Sequence, residues 1–281
     1  MIARLAPVLS RLPTISLIAV SAITVAACNG RATGSAAAPE AAVEAPQSAP
    51  AANVEGPGHK LFQQVEALGL RAEQRDAVIE IEQNLGADLA PHRATVRRVA
   101  ELLASSVEAG TLDARDAAAQ EAALADALVE AKASFADAMN AVHDVLDAGQ
   151  RAALVAELQA HRGHAQGAEP KGPLATLAFE LGLSEAQKAS IRDAVQRGAD
   201  EIFPDRKVRR EAKEARIAAM GEAFVSDDFN AADFDFGGGD ERSLESFGEV
   251  ARRAVDLSGR VLGASQRKTL SAMIRDRAAR L

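Results

Sequence analysis

The stretch Leu181-Gly182-Leu183-Ser184-Glu185-Ala186-Gln187 decides how the chain is read. Its spacing predicts a helix start. Ser184 is placed to accept a hydrogen bond from the N–H of Gln187, and the Gln187 side chain to reach back to the N–H of Ser184, the reciprocal arrangement of a capping box. The same order of a Leu, a cap position and a Gln stands at Leu70 to Gln74, Leu146 to Gln150 and Leu262 to Gln266. Asp147 with Gln150 can cap in the same way, Gly263 caps without a side chain, and Arg71 is a poor cap. One such stretch is an ordinary helix start, but four in matched order divide the chain into units.

Outward from these starts the apolar residues recur at three- and four-residue steps, the period of an amphipathic helix. Leu61, Phe62, Val65 and Leu68 mark a short first helix, and Val78, Ile81, Leu85, Leu89, Val96, Val99 and Leu103 a second. Pro91 falls inside that second run and is expected to kink or break it, because it has no N–H and crowds the preceding turn. After a loop at Ala109 to Leu112, Asp113 is the expected cap of a third helix through Leu124, Phe135 and Leu146, and a fourth runs from Asp147 to about Ala160. The order then repeats: Leu183 and Pro204 each follow Leu70 and Pro91 by 113 residues, and Gln266 follows Gln150 by 116. An internal duplication is the economical account, with a period longer than that of solenoid repeats.

Composition agrees with helices. Of 281 residues 48% are apolar but only 3% aromatic, without Trp or Tyr, so the β-branched and aromatic runs that sheets prefer are missing. The net charge of −8 becomes −10 without Arg4 and Arg11, which argues against nucleic acid held by bulk charge. Those two arginines precede a short apolar run from Leu12 to Val25 that reads as an export signal and is too short for a confident membrane span. It ends in Val25-Ala26-Ala27-Cys28, which resembles the bacterial lipobox, and the only Cys of the chain stands where such a Cys is acylated. We therefore expect a signal peptide over 1–27 and lipidation at Cys28. An Ala- and Pro-rich stretch over 28–57, with too little apolar surface to offset its ordering entropy, is expected to be a disordered tether. The expected localisation is periplasmic, anchored by lipid to the envelope, with the outer membrane favoured because Asn29 rather than Asp follows the Cys.

These residues resemble the Spy/CpxP family of periplasmic proteins, named for paired L-T-x-x-Q motifs. The likeness covers 58–165 and 172–281, with 166–171 as linker. In the second half Leu181 to Lys188 resembles the first motif, Ser226-Asp227-Asp228-Phe229-Asn230 a loop of the S-D-x-F-D kind, and Leu262 to Arg267 the second motif. The first half departs further, with Arg71 in place of Thr and Thr111-Leu112-Asp113 at the loop. The resemblance implies an all-α fold of two tandem four-helix units packed as an intramolecular pseudo-dimer cradle. It also implies an ATP-independent chaperone for unfolded envelope proteins, or alternatively an envelope-stress or metal-responsive adaptor acting on a sensor kinase. A thin unit of about a hundred residues is marginal alone, which independently favours pairing within the chain; higher oligomers are left open.

Client-binding candidates are the basic residues of the long second helices: Arg93, Arg97 and Arg98, echoed by Arg206, Lys207, Arg209, Arg210, Lys213 and Arg216. The bland alternative is a solvated face paired with Glu211 and Glu214. Phe224, Phe229, Phe234, Phe236 and Phe247 crowd one Asp-rich stretch, and most are expected to plug the core at the tip of the unit. For a metal the weak candidates are His161 and His164, short of the three or four ligands that zinc needs. No nucleophile elbow, phosphate loop or His-Glu zinc motif is present, so the reading is of a non-enzyme without a cofactor.

Overall fold

The computed structural model describes residues 57–165, 173–234 and 246–281. Cys28, the leader, the tether, the linker and Phe236 lie outside them. The described chain is all-helical, with no strand among those residues. In order come α1 (Pro57–Glu66), α2 (Ala72–Asp88), α3 (Ala90–Ala109), α4 (Ala114–Val145) and α5 (Ala148–Ala165). Then follow α6 (Pro173–Glu180), α7 (Glu185–Ile202), α8 (Arg206–Val225), a 3-10 turn (Ala231–Asp233), α9 (Phe247–Val261) and α10 (Ala264–Ala279).

Helix ends follow local chemistry. Gly69 and Gly182, 113 residues apart, both take positive φ (69° and 57°), the left-handed turn that lets the chain leave one helix and enter the next. The leucine after each glycine, Leu70 or Leu183, is buried, and so are Leu146 and Leu262 ahead of the other two helix starts. Asp113 caps α4 by accepting from the N–H groups of Arg115 (2.7 Å) and Asp116 (3.3 Å).

The second apolar run is two helices. Pro91 stands at the second position of α3, where its missing N–H is tolerated, and the run breaks at Leu89. Pro204 instead lies in the connection Phe203 to Asp205 between α7 and α8. The two prolines therefore do not hold matching helix positions. The longer connection, with one more residue in α7 than in α2, moves the register between the halves from 113 to the 116 kept from α3 and α8 onward.

Packing crosses between the halves. α3 lies along α10 and also touches α9, while α4 meets α2, α3, α9 and the 3-10 turn. α5 carries α8 and meets α1. One core joins α1, α2, α4 and α5 with Phe224 and Ala231 of the second half. Another joins α6, α7, α9 and α10 with Ala100, Ala104 and Val107 of α3. Between them Val96, Val99, Leu103, Leu124 and Leu128 pack on Phe247, Val250 and Ala251. Each half thus completes its apolar core with side chains of the other.

Candidate functional site

Two glutamine clasps organise the halves. Gln74 Nε2 donates to the carbonyl of Val145 (2.7 Å) and to Gln150 Oε1 (2.8 Å), and Gln150 Nε2 returns a bond to Gln74 Oε1 (3.2 Å). In the second half Gln187 Nε2 donates to Val261 O (2.8 Å) and Gln266 Oε1 (2.8 Å), and Gln266 Nε2 to Gln187 Oε1 (3.3 Å) and Leu181 O (3.1 Å). The same Oε1 atoms accept from the N–H groups of Arg71, Asp147, Ser184 and Gly263 at 2.9–3.1 Å. Asp147 and Ser184 complete the reciprocal box through Gln150 N (2.9 Å) and Gln187 N (3.3 Å). Each glutamine side chain therefore starts its own helix and is tied to the other start in its half. The amide is the group that can do this, since it offers two donors and an acceptor.

The arginine after the second clasp glutamine is also matched. Arg151 Nη1 donates to Leu146 O (3.2 Å), and Arg267 Nη1 to Leu262 O (3.1 Å). Arg151 is buried, and its Nη2 pairs with the carboxylate of Asp227 in the loop beyond α8. Beside it the phenylalanines of the second half form a cluster. The His143 ring lies 5.4 Å from Phe224 and 5.2 Å from Phe229, Phe224 is 5.0 Å from Phe229, and Phe229 is 5.8 Å from Phe234. Phe224 is buried in the core built by α1, α2, α4 and α5, and Phe229 packs against it.

The basic candidates fall into two environments. In α3, Arg93 Nη2 pairs with Gly86 O across the helix break, Arg97 Nε donates to Ala278 O at the end of α10 (3.3 Å), and Arg98 Nη2 to Thr95 Oγ1 (2.8 Å). Burial and the nearby Arg97 hold the Arg93 guanidinium below its usual range. In α8 Lys207, Arg210 and Arg216 are exposed, whereas Arg209 is half-buried. Lys207 and Arg210 reach Glu211 and Glu214 only at 3.9 Å, in largely exposed pairs that contribute little to stability. Arg209 stands 5.5 Å from the ring centroid of Phe203, a cation–π contact. Lys213 is half-buried and Arg216 exposed, while the side chain of Arg206 lies outside the described part.

From Lys207 to Val225 only Phe224 is buried. Val208 is 64% exposed there, and Phe179 at the end of α6 is 87% exposed. Five of the seven large apolar residues exposed among the described residues belong to the second half, and two of them, Val208 and Val225, stand on α8 with its basic residues. Among the described residues no three His, Cys, Asp or Glu side chains gather as a metal site, and no helix is long and apolar enough to cross a membrane. The side chains of His161 and His164 lie outside the described part.

No family model, curated protein or solved structure matches the chain. Its function is therefore argued from its own surface. Spacing singles out the basic residues but does not show that those of α3 stand on a helix with a buried apolar face, whereas among the described side chains of α8 only Phe224 is buried. The separating signal lies in the apolar residues around them.

Proposed function

We propose that the chain is two tandem Spy/CpxP-like helical units paired within one molecule, lipid-anchored in the periplasm, binding unfolded envelope proteins without ATP. The observation that carries this reading is α8. It bears six basic and three acidic residues in a protein that is acidic overall, and packs mainly on α5. Basic side chains beside exposed Val208 suit a client that is partly unfolded, acidic and apolar. Charge attracts it at long range, and a small apolar contact holds it weakly enough for release without nucleotide hydrolysis. The matched clasps, 113 residues apart at one glutamine and 116 at the other, support the two-unit reading.

The test is light scattering by a chemically denatured, acidic model client diluted into buffer with the full chain and no ATP. Suppression is expected at a few-fold excess of the chain, weakened by salt and by a Lys207→Gln, Arg210→Gln, Arg216→Gln triple variant. Aggregation that proceeds unchanged at several-fold excess would overturn the proposal.

A further inference from the structure

The loop after α8 is held on the first half by side chains that are better buried than its own. Arg151, 7% exposed, pairs through Nη2 with the Asp227 carboxylate. His143, 4% exposed, places Nε2 2.8 Å from Ser226 O and its ring 5.2 Å from that of Phe229. Half-buried Asn140 accepts from the N–H of Ala231 through Oδ1 (2.7 Å), and its Nδ2 reaches Asn230 Oδ1 at 3.5 Å. Over 226–231 only Ala231 is buried, Phe229 is half-buried, and Ser226, Asp227, Asp228 and Asn230 are exposed. Buried side chains of α4 and α5 thus grip a segment that gives up little surface to them.

Arg151 is only partly satisfied by this occupant. A carboxylate pairs most strongly with a guanidinium through two parallel bonds, which one edge of the group, Nε with Nη2, can supply. Nη1 of Arg151 is spent on Leu146 O, Asp227 meets Nη2 alone, and the buried Nε has no hydrogen-bond partner among the described residues. Asp227 is fixed between the end of α8 and the contact at Ala231, and so meets one nitrogen of an edge that a free carboxylate can span. A guanidinium this well buried also requires an anion, since removing Asp227 without replacement would leave its charge unpaired.

We infer that Asn140, His143 and Arg151 form a binding site for an acidic-aromatic segment of an unfolded polypeptide, occupied by the chain's own Ser226 to Ala231 loop when no client is bound. The ligand carries a carboxylate for the Nε–Nη2 edge of Arg151, an aromatic ring two residues on to lie against His143, and a free backbone N–H four residues on for Asn140 Oδ1. The carbonyl before the acidic residue goes to His143 Nε2. Ser226 caps the C-terminal end of α8, so release of the loop frees the end of the helix that bears Lys207, Arg210 and Arg216. The inference rests on the client-binding reading: it names the segment of a client that the chain selects and makes the loop an internal competitor for it.

A tethered loop acts at an effective concentration on the order of millimolar, so a free peptide binds weakly until the loop's own grip is reduced. The probe is the chain's own segment, Ser-Asp-Asp-Phe-Asn-Ala-Ala-Asp (226–233), labelled with fluorescein and followed by anisotropy as the full chain is added. Saturable one-to-one binding is expected, about tenfold tighter to the Asp227→Asn chain than to the unaltered chain, because the variant loop has lost its charge-assisted pair and competes less. The same substitution placed in the peptide should weaken binding to the Asp227→Asn chain about tenfold. Arg151→Gln, added to that chain, should abolish it. Asp228→Asn, on an exposed side chain beside the pair, should leave the affinity of the unaltered chain as it is.

No saturable binding to the Asp227→Asn chain, equal affinity for the two chains, equal binding of the Asp227→Asn peptide, or tightening by Asp228→Asn as large as that by Asp227→Asn would each overturn the inference. The peptide substitution leaves the protein intact, so a misfolded Arg151 variant cannot imitate the result. Suppressed client aggregation without peptide exchange would remove this site alone, and peptide exchange without suppression would remove the chaperone reading alone.

Discussion

α3 and α8 are both 20-residue helices that begin 116 positions apart, yet α3 buries a whole face, from Thr95 to Val107, whereas on α8 only Phe224 is buried among the described side chains. Val96, Val99 and Leu103 in the core of α3 correspond to Ala212, Ala215 and Ala219, all exposed. The difference follows from what lies beneath. Among the described residues α3 packs on α4, α9 and α10, whereas α8 rests mainly on α5. At exposed positions such as Ala212, Ala215 and Ala219 a larger apolar side chain would gain little burial among the described residues, and alanine costs little there.

The largest expected effect breaks this comparison at its core. Leu103→Ala removes a buried side chain and should destabilise the fold by about 2–5 kcal/mol, whereas the matching Ala219→Leu should shift stability by less than about 0.5 kcal/mol. Urea unfolding of both variants decides it, and equal effects would mean that the helices are equally packed.

The clasps give the next largest. Gln74 is buried and Gln187 half-buried, so Gln74→Ala should cost about 1–3 kcal/mol by stranding a carbonyl and an amide, and Gln187→Ala less. In a double-mutant cycle Gln74→Ala with Gln150→Ala should be strongly non-additive, and simple additivity would show that the two amides act separately.

Glycines sharpen the comparison further. Gly182→Ala forces a Cβ onto a backbone at φ 57° and should destabilise by about 1 kcal/mol, as Gly69→Ala should in the first half. Gly198 lies inside α7, and an added Cβ would meet nothing within 4 Å. Gly198→Ala should therefore stabilise by about 0.4–1 kcal/mol. Thermal melts read both signs.

Much of this was legible in the sequence. The apolar period and the lack of sheet-forming runs fixed the all-helical class, and Pro91 marked the break near Leu89. The clasps were not legible, because a glutamine three residues after a cap is satisfied by its own helix start, and nothing local shows that its N–H groups reach another start 76 or 79 residues away. Composition marks the phenylalanines as core, and Phe224 and Phe247 are buried, but nothing local shows that Phe224 and Phe229 pack on His143 of α4. The division between α3 and α8 was present as Val96, Val99 and Leu103 against Ala212, Ala215 and Ala219. It could be read only in the 116 register, which the 113 spacing of the prolines obscures.

The smallest effect concerns His92, whose counterpart in the 116 register is Val208, 64% exposed. His92 is half-buried, with no partner for Nδ1. Burial, reinforced by the charge of Arg93 and opposed by a bond to the backbone of Ala127, holds its pKa below the usual 6.5. The neutral ring is thus the form the fold prefers. As pH falls through about 6.5 the unfolded chain takes up a proton that the folded chain refuses, and stability declines until the lower folded pKa is passed. His92→Gln should flatten the dependence of urea midpoint on pH between 7 and 5, while Val208→His, placing an imidazole at the matching exposed position, should leave the slope as it is. A slope unchanged in His92→Gln would show that this ring titrates alike in both states, and that its side of α3 is as open to water as α8.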